Sequence, residues 1–169
     1  MDSQNPFRRI ATRYRDVPSR PRRSLITHAI GDVIPFVRTA GCFIEAYTPS
    51  QVVVRLDNRE GVQNHLGGLH AAALALLAET ATGLVVALNV PDGSSPLLRT
   101  MDVSFDRFAR DVAQAEATLT TDDRDAIQSR AIGQLEVGVR LTAPGADETL
   151  VEGQLKWAWV PADRLASNA

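Results

Sequence analysis

Residues 70–88 read HAAALALLAETATGLVVAL, enough for about five helical turns and apolar on nearly every side. A helix of that kind is enclosed on most sides, not laid on a surface. The rest of the chain therefore has to supply a wrapping. Glu79 stands at the middle of this run and is the only Asp, Glu, Lys or Arg among the 31 residues between Glu60 and Asp92. A charge there makes the segment a poor membrane span. It also leaves the carboxylate paired, protonated or working. No cation lies three or four residues away on the same helix to pair with it, so a functional role is favoured over a structural hydrogen-bonding one.

Outward from the helix, the period of the chain changes from helical to alternating. Cys42 to Tyr47 and Gln51 to Leu56 read as two strands around Pro49-Ser50, the second rich in β-branched Val52, Val53 and Val54. A Gly-punctuated loop, 61–69, leads into the helix. Pro91, Asp92, Gly93 and Pro96 break the chain after it, and strands follow near 97–106, 112–121, 130–142 and 149–160. Ala113, Ala115, Ala117 and Leu119 alternate with Gln114, Glu116, Thr118 and Thr120. Leu135, Val137, Val139 and Leu141 alternate in the same way, as do Leu155, Trp157 and Trp159. Strands with one buried face and short connections predict an antiparallel sheet with the central helix on its apolar side, an α+β fold.

Before the first strand, Asn5-Pro6 marks a helix start, with Phe7, Ile10 and Tyr14 recurring until Pro18. A basic linker follows, and Ser24 is the expected cap of a second helix that stops near Pro35. This divides the chain into a basic helical extension, 1–34, and a sheet-and-helix domain, 35–169. If the arm formed by residues 1–23 is accessory, the fold should survive its deletion, since the sheet and central helix lie beyond it. Seven arginines against Asp2 and Asp16 give residues 1–23 a charge of +5, and the remainder carries −7. Such an arm is able to meet RNA, an acidic membrane surface or a phosphate-rich ligand. Covering the acidic body is the favoured reading, because no aromatic interleaving supports base stacking.

The whole chain has 169 residues, 44% apolar and 22% charged, with net charge −2. That composition suits one soluble domain and argues against a nucleic-acid binder working through a general basic field. One cysteine, Cys42, excludes an intrachain disulfide and a four-cysteine zinc site, and favours a reducing, cytoplasmic setting. No apolar stretch of signal-peptide type follows the N-terminal charges. The expectations are no membrane span, no nucleic acid and no metal.

His70 opens the central helix behind Asn64, Gly67 and Gly68. It reads either as a cap or as part of an anion site made by helix-start N–H groups. Nine residues separate it from Glu79, ~13 Å along the axis and ~180° around it. One helix cannot aim both at one atom. Two copies about a two-fold axis can, which predicts a homodimer.

Asn64-His65-Leu66-Gly67-Gly68-Leu69-His70-Ala71-Ala72, followed by Leu76-Leu77-Ala78-Glu79, resembles the N-x-x-G-x-x-H-G-G plus acidic-helix signature of hotdog-fold thioesterases. The phenylacetic-acid-pathway type and its relatives with His-Ala are the nearest. Asp102-Val103-Ser104-Phe105-Asp106-Arg107-Phe108 is similar to the strand after the helix in that family. The resemblance spans roughly residues 35–160. It implies a hotdog fold, an antiparallel sheet wrapped around a long helix, and hydrolysis of a small or medium acyl or aryl thioester of coenzyme A or an acyl carrier. Coenzyme A is then part of the substrate, and no separate cofactor is needed. By position, Glu79 matches the general base or nucleophile, Asn64 the residue orienting water or thioester, His70 the helix-start histidine, and Ala71 the glycine whose N–H polarises the carbonyl. Gly67 and Gly68 line the substrate loop, Ser94 and Ser95 are hydroxyl candidates, and Arg107 and Arg110 are candidate phosphate ligands or solvated surface charges. Ala71 and Ala72 depart from the two glycines; the Cβ of Ala narrows the approach. The alternative is a non-catalytic hotdog module that binds an acyl or aromatic ligand. Whether dimers pair into tetramers stays open.

Overall fold

The computed structural model describes residues 5–166. At its centre lies α4 (Ala71–Ala87), with Leu74, Leu77, Ala78, Ala81, Leu84, Val85 and Val86 all buried. The sheet that encloses it has six antiparallel strands: β1 (Phe43–Tyr47), β2 (Gln51–Asp57), β3 (Ser94–Phe105), β4 (Val112–Thr118), β5 (Gly133–Thr142) and β6 (Thr149–Pro161), in the order β1-β2-β4-β5-β6-β3. This is the hotdog fold. Ala113, Ala115 and Ala117 face inward and are fully buried. Their small side chains let α4 approach β4 closely, while Leu141, Leu155, Trp157 and Trp159 fill the wider part of the core.

Two contacts fix the helix to the sheet. The Trp157 indole Nε1 donates to Thr82 Oγ1 (3.1 Å), and that hydroxyl donates to the Ala78 carbonyl (2.9 Å). The indole then lies directly over Gly83, where an added Cβ would come within 2.7 Å of the ring.

The N-terminal segment is bound to this core. In α1 (Pro6–Arg13), Asn5 caps the helix by accepting from the Phe7 and Arg8 N–H groups. Its Nδ2 also donates to the Ala87 and Val90 carbonyls at the end of α4. Ile10 joins the same hydrophobic cluster as the sheet and α4, together with Ile26 and Ile30 of α2 (Ser19–Val33). The arm is thus not a detached accessory. Two of its arginines meet carboxylates of the body, Arg23 with Glu45 (2.7 Å) and Arg8 with Asp92 (3.5 Å).

Three local expectations are corrected. The second helix starts at Ser19 instead of Ser24, so the basic stretch read as a linker is its first turns. Pro21 is tolerated there because first-turn N–H groups have no intrahelical acceptor. Pro35 does not end helical structure but opens a further helix, α3 (Pro35–Ala40), closed by Gly41 in the left-handed conformation (φ 75°). Between β4 and β5, α5 (Thr121–Gln128) begins where strand was expected to continue. Thr120 Oγ1 accepts from the Asp123 N–H and the Asp123 carboxylate accepts from the Thr120 N–H, a reciprocal cap that stops the strand early. A final short helix, α6 (Ala162–Ala166), follows β6.

Candidate active site

Glu79 lies half-way along α4 at a cavity of about 280 Å³, shared with Thr80, Gly83, Ser95, Pro96 and Trp157. Among the described residues no hydrogen bond or ion pair reaches its carboxylate. Burial without a partner raises its pKa above the ordinary 4.5. Of the three states open to an isolated helix carboxylate, the structure leaves protonated or working. Cys42 offers no competing nucleophile, because burial pushes its thiol up to about 11.

Thr80 was not singled out by sequence reasoning. It is 2% exposed, it lines the same cavity, and its Oγ1 has no hydrogen-bond partner. A helical threonine ordinarily bonds back to the preceding turn, as Thr82 does to Ala78. The signal available in sequence was the same one that marked Glu79, a polar group at the centre of an apolar helix. Of the two hydroxyl candidates after the helix, Ser95 lines the cavity, while the Ser94 hydroxyl points to the Ala131 carbonyl (3.4 Å).

Apart from Arg107, the remaining candidates gather at the start of α4, ~13 Å along the helix from Glu79. His70 is the N-cap of α4, and its Nδ1 accepts from the Ala72 N–H (3.0 Å). The Ala71 N–H has no acceptor among the described residues, and both alanines are exposed. Asn64 closes the preceding loop: its Oδ1 accepts from the Leu66 and Gly68 N–H groups, and its Nδ2 donates to the Leu69 carbonyl. Gly67 supplies a positive φ (76°). Gly68 is needed for close approach, since a Cβ there would lie 2.7 Å from the Ala109 carbonyl and overlap the Phe108 ring. Arg107 pairs with Glu148 (2.8 Å), and Arg110 stacks on Phe108 (5.3 Å). Within one chain the structure therefore forms two clusters, a carboxylate with hydroxyls in the cavity and a helix start with an unpaired amide.

The family described as a domain of unknown function, DUF4442, matches residues 22–160. The chain belongs to the DUF4442 family. The match begins inside α2 and ends in β6, so both clusters fall within the DUF4442 domain and α1 falls outside it. Protein PA5026 from Pseudomonas aeruginosa, described as a protein of unknown function and probable thioesterase, superposes with a TM-score of 0.71 at 24% identity, over 81% of this chain and 94% of its own. The thioesterase HI1161 from Haemophilus influenzae gives 0.66 at 15% identity, over 80% and 91%. The thioesterase SAV0944 from Staphylococcus aureus gives 0.65 at 19%, over 75% and 99%. At these identities the likeness is one of fold. No curated protein matches the chain significantly.

Among the described residues of this DUF4442 protein, no group of three or more His, Cys, Asp or Glu side chains is placed to hold a metal ion. No helix among them is long and apolar enough to cross a membrane. Thr80 yields the first prediction. Thr80→Val removes an unsatisfied buried hydroxyl, so the melting temperature should rise, by the equivalent of about 1 kcal/mol. If the hydroxyl serves a bound substrate, thioester turnover should fall in the same variant. Lower stability would show that Thr80 Oγ1 has a partner in solution.

Proposed function

We propose that this DUF4442 protein is a thioesterase-like hydrolase, cleaving a small or medium acyl or aryl thioester of coenzyme A or an acyl carrier at sites shared between two copies of the chain. The observation that carries this reading is the Glu79 carboxylate, unpaired among the described residues, in an apolar cavity that raises its pKa by burial. A carboxylate so placed is a better base than one in water. In the proposed reaction Glu79 takes a proton from water as the water oxygen adds to the thioester carbonyl. The negative charge that develops on the carbonyl oxygen is met by a backbone N–H at the start of α4 in the partner subunit. The carbon–sulfur bond then breaks, and the thiol leaves with the proton. The cavity volume lies just under the ~300–1,000 Å³ usual for drug-sized ligands, which suits a small or medium acyl group.

A dimer is supported by what stays uncovered. β3 runs for 12 residues along the sheet edge, and among the described residues it pairs only with β6. The other edge, β1, is packed by α2. Leu66, Phe105 and Phe108 are 68%, 46% and 41% exposed beside the helix start and the end of β3. A long open edge with apolar neighbours is a template for a second copy. The buried cysteine fits a reducing compartment, and we place the protein in the cytoplasm on that ground.

One observation favours the binding-module reading: Asn64 and the His70 Nδ1 are already engaged within their own loop and helix start. The test separates the two. Acyl-CoA and acyl-pantetheine thioesters of graded length should release thiol in the presence of the protein, and sizing with light scattering should show no stable monomer at micromolar concentration. Tight binding of a thioether analogue with no turnover of any thioester selects the module. A well-folded monomer removes the shared-site mechanism.

A further inference from the structure

The cavity at Glu79 is bordered by one stripe of α4. Glu79, Gly83 and Ala87 recur at helical spacing on that stripe, with Thr80 and Leu84 beside them. From Glu79 to Ala87 the stripe covers ~12 Å of helix. Ser95 and Pro96 of β3 line the cavity as well, and Trp157 of β6 borders it where its ring packs against Gly83. Ile34 and Phe7 complete the lining, and Phe7 belongs to the Ala87 end, because Asn5 and Arg8 on either side of it bond to the Ala87, Leu88 and Val90 carbonyls. Phe7 comes from α1, which lies outside residues 22–160 matched by the family.

We propose that α1 closes the acyl end of the Glu79 cavity and that Phe7 sets the longest chain the site accepts. The inference rests on the thioesterase reading above, since it takes the thioester to lie at Glu79 and the acyl chain to run toward Ala87. Phe7 is held in place from several sides. The Tyr47 hydroxyl donates to the Phe7 carbonyl (3.1 Å), and the Asn5 side chain binds the carbonyls of Ala87 and Val90 (2.7 and 3.1 Å). The Asn5 N–H donates to Asp92 Oδ1 (3.0 Å), and Arg8 Nη2 donates to the Val90 carbonyl (2.9 Å). Asn5 is 1% exposed, so its bonds are shielded from water. The backbone that carries the ring is thus tied to the end of α4 beside the cavity. Phe7 itself is only partly buried, so replacing it trims the floor with a limited loss of core packing.

The test uses the full chain and S-alkyl pantetheine thioethers from butyl to hexadecyl, which carry the arm common to coenzyme A and acyl carrier proteins and are not hydrolysed. Binding is measured by calorimetry for the wild type, Phe7→Ala and Phe7→Trp, and folding is checked by melting. In the wild type each added methylene should tighten binding roughly fourfold until the chain reaches the floor, after which the gain stops. Phe7→Ala should move that break to longer chains and Phe7→Trp to shorter ones. If Phe7→Ala fails to fold, Phe7→Trp and Phe7→Leu carry the comparison. A break at the same length in every folded variant overturns the proposal even if thioesters are hydrolysed. A break that moves while no acyl-pantetheine is hydrolysed overturns the catalytic reading and leaves the floor standing. No binding at any length overturns the floor, and overturns the catalytic reading as well when no thioester is hydrolysed.

Discussion

Replacing Glu79 with glutamine should lower kcat for thioester hydrolysis by about 100-fold or more, the low end of what general-base catalysis contributes. The amide keeps the size of the side chain and its place in the cavity but takes no proton from water. The fold should survive. No cation pairs with the carboxylate among the described residues, so the substitution strands no buried charge, which is the usual reason for large losses at such positions. Burial raises the Glu79 pKa, so the wild-type turnover should climb as pH passes upward through that raised value and then level off. The residual activity of Glu79→Gln should lack this limb.

Stability has the opposite pH dependence. The native carboxyl holds its proton to higher pH than the unfolded chain, whose ordinary value is 4.5. Its contribution is therefore fully present below 4.5 and fades as pH rises through the raised folded value. Above that range the buried charge opposes folding. Glu79→Gln should melt at a higher temperature than the wild type near pH 7, with the gain disappearing below 4.5. Undiminished hydrolysis would remove the catalytic assignment. A marked drop in melting temperature near neutral pH would mean that Glu79 anchors a buried partner.

The sheet and the central helix were legible because burial imposes period two on strands and near-complete apolarity on an enclosed helix. Ala113, Ala115 and Ala117 against Gln114 and Glu116 told their faces unaided, and all three alanines are inward. Glu79 stood out for the converse reason, as a lone charge where charge is costly. What stayed hidden depends on contacts between distant segments. Nothing local ties Phe7 to Glu79, 72 positions later, because bringing both to one cavity requires Asn5 to cap α1 and bind the end of α4 at once. The helix after β4 was missed on different grounds. Its cap is a Thr120-x-x-Asp123 box, and Leu119 and Thr120 continue the strand alternation up to that point. The start of α2 was hidden by Pro18, which reads as the end of the first helix and is the N-cap of the second. Asn64 shows a further limit: the motif placed it in a loop before the helix, but only the structure shows its side chain closing that loop.

Gly153→Ala should destabilise the protein by about 3 kcal/mol, the upper end of ordinary overpacking, and lower the melting temperature by roughly 6–12 °C. Gly153 lies in β6 between Val103 of β3 and Val139 of β5. An added Cβ would overlap the Asp102 backbone oxygen and lie 2.6 Å from Val103 Cγ1. A flexible side chain gives way cheaply, whereas a backbone carbonyl in a strand moves only with its strand. β3 would have to shift away from β6, and β3 supplies Ser95 and Pro96 to the cavity and the edge at which a second copy is proposed to dock. Weaker dimerisation and weaker thioether binding should therefore accompany the lower melting temperature. Gly138→Ala is the matched control. It sits on the neighbouring strand, where an added Cβ would make only ordinary contact with Gln154 Nε2 at 3.4 Å. It should be within about 0.5 kcal/mol of the wild type, or slightly more stable because alanine loses less chain entropy on folding. Melting curves and light scattering on the two variants decide the matter. If both melt together, β3 is not held against β6 at the closeness on which the cavity wall depends.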